Sequence, residues 1–160
     1  MPRLLFISFI DFGEMKSGSS VRPQRMYDAF LKLGFSVSLL SGLQNRRRER
    51  WRSVFQKFRE IRKDPPDLCY VEPPSGPFFN LCDHLLLLYL KHKKIPTGLF
   101  YRDAYWLVPK RWQVGGLKKF VLNQCEKFDF LIIKDSCSVV FFPTSSMAEK
   151  VSLPCKSLLP

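Results

Sequence analysis

Apolar and polar positions alternate along the chain with two periods, and the switches between them mark the elements. "RLLFISFI", residues 3–10, is continuously apolar after Arg3, which predicts a central parallel strand covered on both faces. Val21, Met26, Ala29, Phe30 and Leu33 then recur at helical spacing, and Gly34 supplies the left-handed cap that ends the helix. "FSVSLLSG", residues 35–42, alternates and closes on turn residues, so it is a second strand. Strand, helix and strand within about forty residues define a βαβ unit, whose crossover is right-handed.

The pattern repeats downstream. Residues 46–63 place Trp51, Val54, Phe55, Phe58 and Ile61 on one helical stripe. A strand over residues 67–77 is halted by prolines, a helix spans 79–91, and a strand over 96–106 runs into an aromatic and charged loop. A helical period from Leu117 to Ile132 is expected to break near Asp129. A strand over 139–142, a short helix over 145–151 and the start of a strand at "KSLLP" complete the chain. Such alternation predicts one α/β domain, Rossmann-like and three-layered, with a mainly parallel sheet. A 3-2-1-4-5 strand order would bring the loops after strands one and four together at the switch point, where open α/β sheets bind ligands.

The first of those loops, "DFGEMKSGSSVRPQR", has Gly13 and Gly18 in the frame of a phosphate-gripping G-x-x-x-x-G-K-[ST] motif, but Ser19 stands where the lysine belongs. Nucleotide hydrolysis is therefore not expected, and no G-x-G-x-x-G is present. Gly18, Ser19 and Ser20 still precede a helix whose free amides favour an anion or a hydroxyl-rich ligand, with Arg22 and Arg25 on its first turns. Alternatively, Ser20 only caps the helix. In the other loop Arg102, Asp103, Tyr105 and Trp106 cluster past the strand: an ionised Asp beside an Arg can accept a proton from a hydroxyl, and aromatic faces stack on sugar rings, or the pair only fastens the loop. Glu72, before two prolines, either faces the crevice or anchors its own loop.

Charge narrows the partners. Twenty-six Lys and Arg against 14 Asp and Glu give +12, which calls for an anionic partner. The helix over 46–63 holds nine of those cations against Glu49 and Glu60. Arg47 and Arg48 with Trp51, Phe55 and Phe58 form a cationic, aromatic-striped helix of the kind that lies on an anionic bilayer, although the same stripe also suits an ordinary crossover helix. No helix-turn-helix, RNA-recognition or zinc-finger signature supports nucleic-acid binding. The apolar run at residues 78–90 is too short to cross a bilayer. The first residues lack a cleavage site, and five cysteines without metal-binding or paired spacing read as buried thiols. The expected location is cytoplasmic, with peripheral attachment at the inner face of the membrane. His84 and His92 lack neighbouring ligands, so neither a metal nor a cofactor is expected, and both are assigned to helix packing or the surface.

Three stretches together resemble the N-terminal, acceptor-side domain of bacterial GT-B glycosyltransferases of the family 4-like group. "RLLFISFIDFGEMKSGSSVRPQRMYDAFLKLGFSVSLLSG" is similar to their first βαβ unit, "IPTGLFYRDAYW" to the strand bearing the acceptor-side catalytic region, and "VVFFPTSSMAEKV" to the strand and helix before the interdomain linker. The resemblance covers nearly the whole chain. It implies transfer of a sugar from a nucleotide-sugar donor to a glycan or lipid-linked acceptor, with this half holding the acceptor. Many members carry a His-Asp pair after strand four; Arg102 and Asp103 stand there, so the resemblance passes the catalytic role to Asp103. It also implies that donor contacts come from a second Rossmann-like domain and that these 160 residues alone are inactive. A different class of function remains open: a non-catalytic module that docks on a membrane or a partner through the helix over 46–63.

Overall fold

In the computed structural model, which describes residues 1–13, 18–74, 76–78, 80–102, 116–151 and 156–158, strands and helices alternate as the periodicity predicts. They are β1 (Arg3–Ser8), α1 (Gly18–Lys32), β2 (Ser36–Leu40), α2 (Arg47–Lys63), β3 (Leu68–Glu72), α3 (Leu81–His92), β4 (Thr97–Phe100), α4 (Gly116–Ser136), β5 (Val139–Phe142), α5 (Ser145–Lys150) and β6 (Lys156–Leu158). All neighbouring strands pair in parallel. The protein is an α/β domain of Rossmann-like, three-layer architecture.

Alternate residues of each strand feed two cores. Leu5, Ile7, Cys69, Val71, Leu99, Val140 and Phe142 face the side covered by α2, α3, α4 and α5. Leu4, Phe6, Tyr70 and Phe100 face the side covered by α1, where Met26, Tyr27 and Phe30 pack on them. A right-handed crossover requires this division: α1 returns leftward from β1 to β2, and each later helix moves the chain rightward.

The strand order is β2-β1-β3-β4-β5-β6, not 3-2-1-4-5. β2 is the edge. Its residues Ser36 and Ser38 are exposed in alternation with Val37 and Leu39, as suits a strand with one open side, whereas "LCYVE" in β3 is buried almost throughout and fits the centre. The switch point therefore lies between β1 and β3, and the loop after β3 takes the place foreseen for the loop after β4.

Two helix boundaries also carry physical content. α4 runs unbroken through Asp129, because that carboxylate is buried as an acceptor and does not turn outward to end the helix. α1 ends in a Schellman motif: the Phe35 amide donates to the Phe30 carbonyl and the Gly34 amide to Leu31, with Gly34 at φ 83°. Gly34→Ala is expected to cost about 1 kcal/mol in urea unfolding, because a Cβ disfavours that backbone angle although nothing crowds it.

Candidate functional site at the switch point

The period of two puts Tyr70 and Glu72 on one face of β3, and that face lies under α1. The parallel register sets Glu72 beside Ser8 at the carboxyl end of β1. Arg22, in the second turn of α1, reaches down to both. Its Nε donates to Glu72 Oε1 at 3.2 Å, its Nη2 lies 3.4 Å from the Tyr70 hydroxyl, and its guanidinium stacks 3.4 Å from the Phe100 ring centroid. The Tyr70 hydroxyl itself donates to Glu72 Oε1 at 2.9 Å. One carboxylate oxygen thus organises a cation, a phenol and the start of a helix.

Glu72 is only 2% exposed, and burial pushes its carboxyl above the ordinary range, while Arg22, the Tyr70 hydroxyl and then Arg102 oppose that shift. Burial, and after it the Glu72 charge, pushes the Tyr70 phenol far up, so it stays a donor. Among the described residues two guanidinium groups act on this one carboxylate, which makes the cluster net positive. Gly18 and Ser19 open α1, and Ser20 is buried within its first turn instead of standing at the N-cap. Backbone amides and the positive helix end therefore lie on the same side as Arg22. Below the cluster, on the same sheet face, Met26, Phe30, Tyr70, Gly98 and Phe141 line an apolar cavity of about 310 Å3. Tyr70 belongs to both, with its ring in the cavity wall and its hydroxyl in the polar cluster.

Of the residues singled out from sequence, Arg22, Glu72 and Arg102 come together. Arg25 is exposed and makes no ion pair among the described residues. Asp103, Tyr105 and Trp106 lie outside the described residues. Tyr70 and Phe100 were not foreseen, although Tyr70 stands two residues before Glu72 and the strand period alone puts it on the same face.

The basic helix is used differently from its sequence pattern. Val54 and Ile61 are buried, Trp51 packs on the core, and Phe58 meets Tyr89 edge-on at 5.0 Å, so most of the stripe builds the domain. Phe55 remains 55% exposed, with Arg47 and Arg48 on the surface. Arg50 is not part of a solvated basic face at all. It is 2% exposed, donates from Nε to Asp83 Oδ1 at 2.9 Å and from Nη1 to the Ser8 carbonyl at 3.0 Å, and lies over the Phe9 ring. This pair braces the far side of the switch point.

His84 is a buried packing residue between Phe78 and Phe128, and its Nε2 meets Asp129 Oδ1 at 2.6 Å. His92 is exposed. Cys69, Cys82 and Cys137 are buried free thiols, and burial pushes Cys82 and Cys137 up to about 12. No helix among the described residues is long and apolar enough to cross a membrane.

Fold and site together define a Rossmann-like α/β domain with a polar, cationic cluster at its switch point. A scan against protein-family models gives no match, and a search of curated proteins gives none either.

Proposed function

We propose that this chain is the acceptor-binding half of a glycosyltransferase, holding a glycan or lipid-linked acceptor while a second Rossmann-like domain carries the nucleotide-sugar donor. The observation that supports it best is the cluster at the β1/β3 switch point, where Arg22 is held by Glu72 and Tyr70 at the start of α1. A net positive cluster next to the N-terminal end of α1 suits the phosphate of a lipid-linked sugar, and hydroxyl groups suit the Glu72 carboxylate. The apolar cavity beneath Tyr70 adds room for hydrocarbon on the same face. On this reading Asp103 is the proton acceptor for the attacking hydroxyl, with Tyr105 and Trp106 against the sugar ring.

Binding in detergent micelles tests it. The chain is expected to bind a polyprenyl-phosphate-linked sugar more tightly than a nucleotide sugar, and Arg22→Ala to weaken that binding by about tenfold or more, the worth of one charge-assisted hydrogen bond. Equal affinity of wild type and Arg22→Ala would overturn the acceptor site. Transfer of a radiolabelled sugar by the 160-residue chain without a second polypeptide would overturn the division of labour.

A further inference from the structure

α3 and α4 lie side by side on the sheet, joined by His84 with Asp129 at one level and by the Lys91 and Asp135 ion pair further along. That pairing sets Leu81, the first residue of α3, level with residue 126. The first ten residues of α4 therefore run about 15 Å beyond the start of α3 at 1.5 Å per residue. The inward side of α4 is used, with Asp129, Ile133 and Ser136 buried.

The outward side is apolar and largely exposed, although Phe128 at its edge packs on the His84 ring at 4.9 Å. Leu117 is 79% exposed, Leu131 65% and Phe120 60%, with Val121 and Phe128 close behind. Leu117, Val121, Gln124, Phe128 and Leu131 are spaced 4, 3, 4 and 3, the spacing of a helix that seats against another helix. On α3, Leu81 and Leu85 form a parallel exposed ridge. The seven side chains leave on the order of 600 Å2 of apolar surface outside, at the upper end of the largest patch on an ordinary monomer, and somewhat less than what one partner buries in a standard interface.

The margins of this face are cationic. Lys118, Lys127 and Lys134 are exposed on α4, and among the described residues none has a carboxylate within ion-pair distance. A second copy would set lysine against lysine across the seam in a chain already at +12. A bilayer would take a broad, continuously apolar face; here the polar Gln124 interrupts the middle of a narrow seam, a position that fixes register between helices.

We infer that the outer face of α4, with Leu81 and Leu85 of α3 beside it, is a docking face for an amphipathic helix of another protein, with an apolar seam and acidic flanks. The helix lies along the α4 seam, its apolar residues on Leu117, Val121, Phe128 and Leu131 and its carboxylates on Lys118, Lys127 and Lys134.

Two synthetic 21-residue helical peptides test this, sharing one leucine seam and differing only in Glu or Lys at the flanking positions. Fluorescence anisotropy is expected to show the Glu-flanked peptide binding at least about tenfold tighter than the Lys-flanked one, with affinity falling as salt rises. Leu131→Glu and Val121→Glu, both at exposed positions, are expected to keep the wild-type melting temperature and lose about tenfold or more in affinity. Equal binding of the two peptides, or no binding, overturns the inference. Two further results overturn it in favour of another occupant: sedimentation as a dimer that Leu131→Glu dissociates, or flotation with phosphatidylserine vesicles that the same variant abolishes.

Discussion

Replacing Arg50 by methionine is expected to lower the unfolding free energy by about 3–5 kcal/mol, measured by urea denaturation, because the change leaves Asp83 charged and alone in the interior. Arg50 serves three segments at once. Its guanidinium holds Asp83 at the first turn of α3, the carbonyl of Ser8 at the end of β1, and, at 3.4 Å, the carbonyl of Gly42 after β2. Asp83 is 3% exposed, and burial pushes its carboxyl up while Arg50 opposes the shift. Nothing else among the described residues holds Asp83 Oδ2, so the side chain depends on this one cation. The sign with pH follows. A carboxyl whose folded pKa is raised is favoured in its protonated form, so the deficit of the variant should shrink as pH falls through that raised value. The double variant Arg50→Met with Asp83→Leu tests the cause, since removing both charges together is far milder than stranding one. It should recover more than half of the loss. A double variant as unstable as Arg50→Met alone would mean that the damage lies in the lost Ser8 and Gly42 contacts.

The same pair shows where sequence stops being sufficient. Arg50 and Asp83 are 33 residues apart on elements that meet only once β3 has paired with β1, so a run of arginines on an amphipathic helix looked uniformly solvated. Helices and strands were legible because their periods are local. Gly34 announced the end of α1, and the unbroken apolar run of β1 announced a central strand. The order of strands was legible in principle too. Alternating serines mark β2 as an edge, and an edge strand admits no third strand outside it. Likewise Tyr70 was within reach of the period of two that places it beside Glu72, whereas the stacking of Arg22 on Phe100 depends on which strand neighbours β3. The role proposed for Asp103 rests on sequence alone, since that residue lies outside the described residues, while the pairing of Arg22 with Glu72 rests on geometry.

A second large effect is expected at the α3–α4 contact, where Asp129→Leu should cost about 3 kcal/mol and flatten the dependence of stability on pH. Asp129 accepts the Phe78 amide at 2.8 Å through one oxygen and faces His84 Nε2 at 2.6 Å through the other, so leucine strands two buried polar groups at about 1–3 kcal/mol each, offset in part by relief of the buried carboxylate. One turn earlier on α4, burial and then the Asp129 charge push Glu126 up to about 7. Its proton-linked stability is present below the unfolded value near 4.5 and is lost as pH rises toward 7, because the fold disfavours the ionised form. Wild-type protein should therefore lose stability between these two values; Glu126 is only partly buried, so solvent screening holds its share to about 1 kcal/mol. Glu126→Gln removes that slope without touching the Phe78 and His84 bonds, and should match wild type at pH 4.5 while exceeding it at pH 8. Asp129→Leu removes both its own raised titration and the charge that helps push Glu126 up, and should be less stable than wild type at both pH values. If Glu126→Gln and wild type keep the same separation from pH 4.5 to 8, Glu126 is not the group that titrates, and the slope belongs to Asp129, whose carboxyl burial also pushes up.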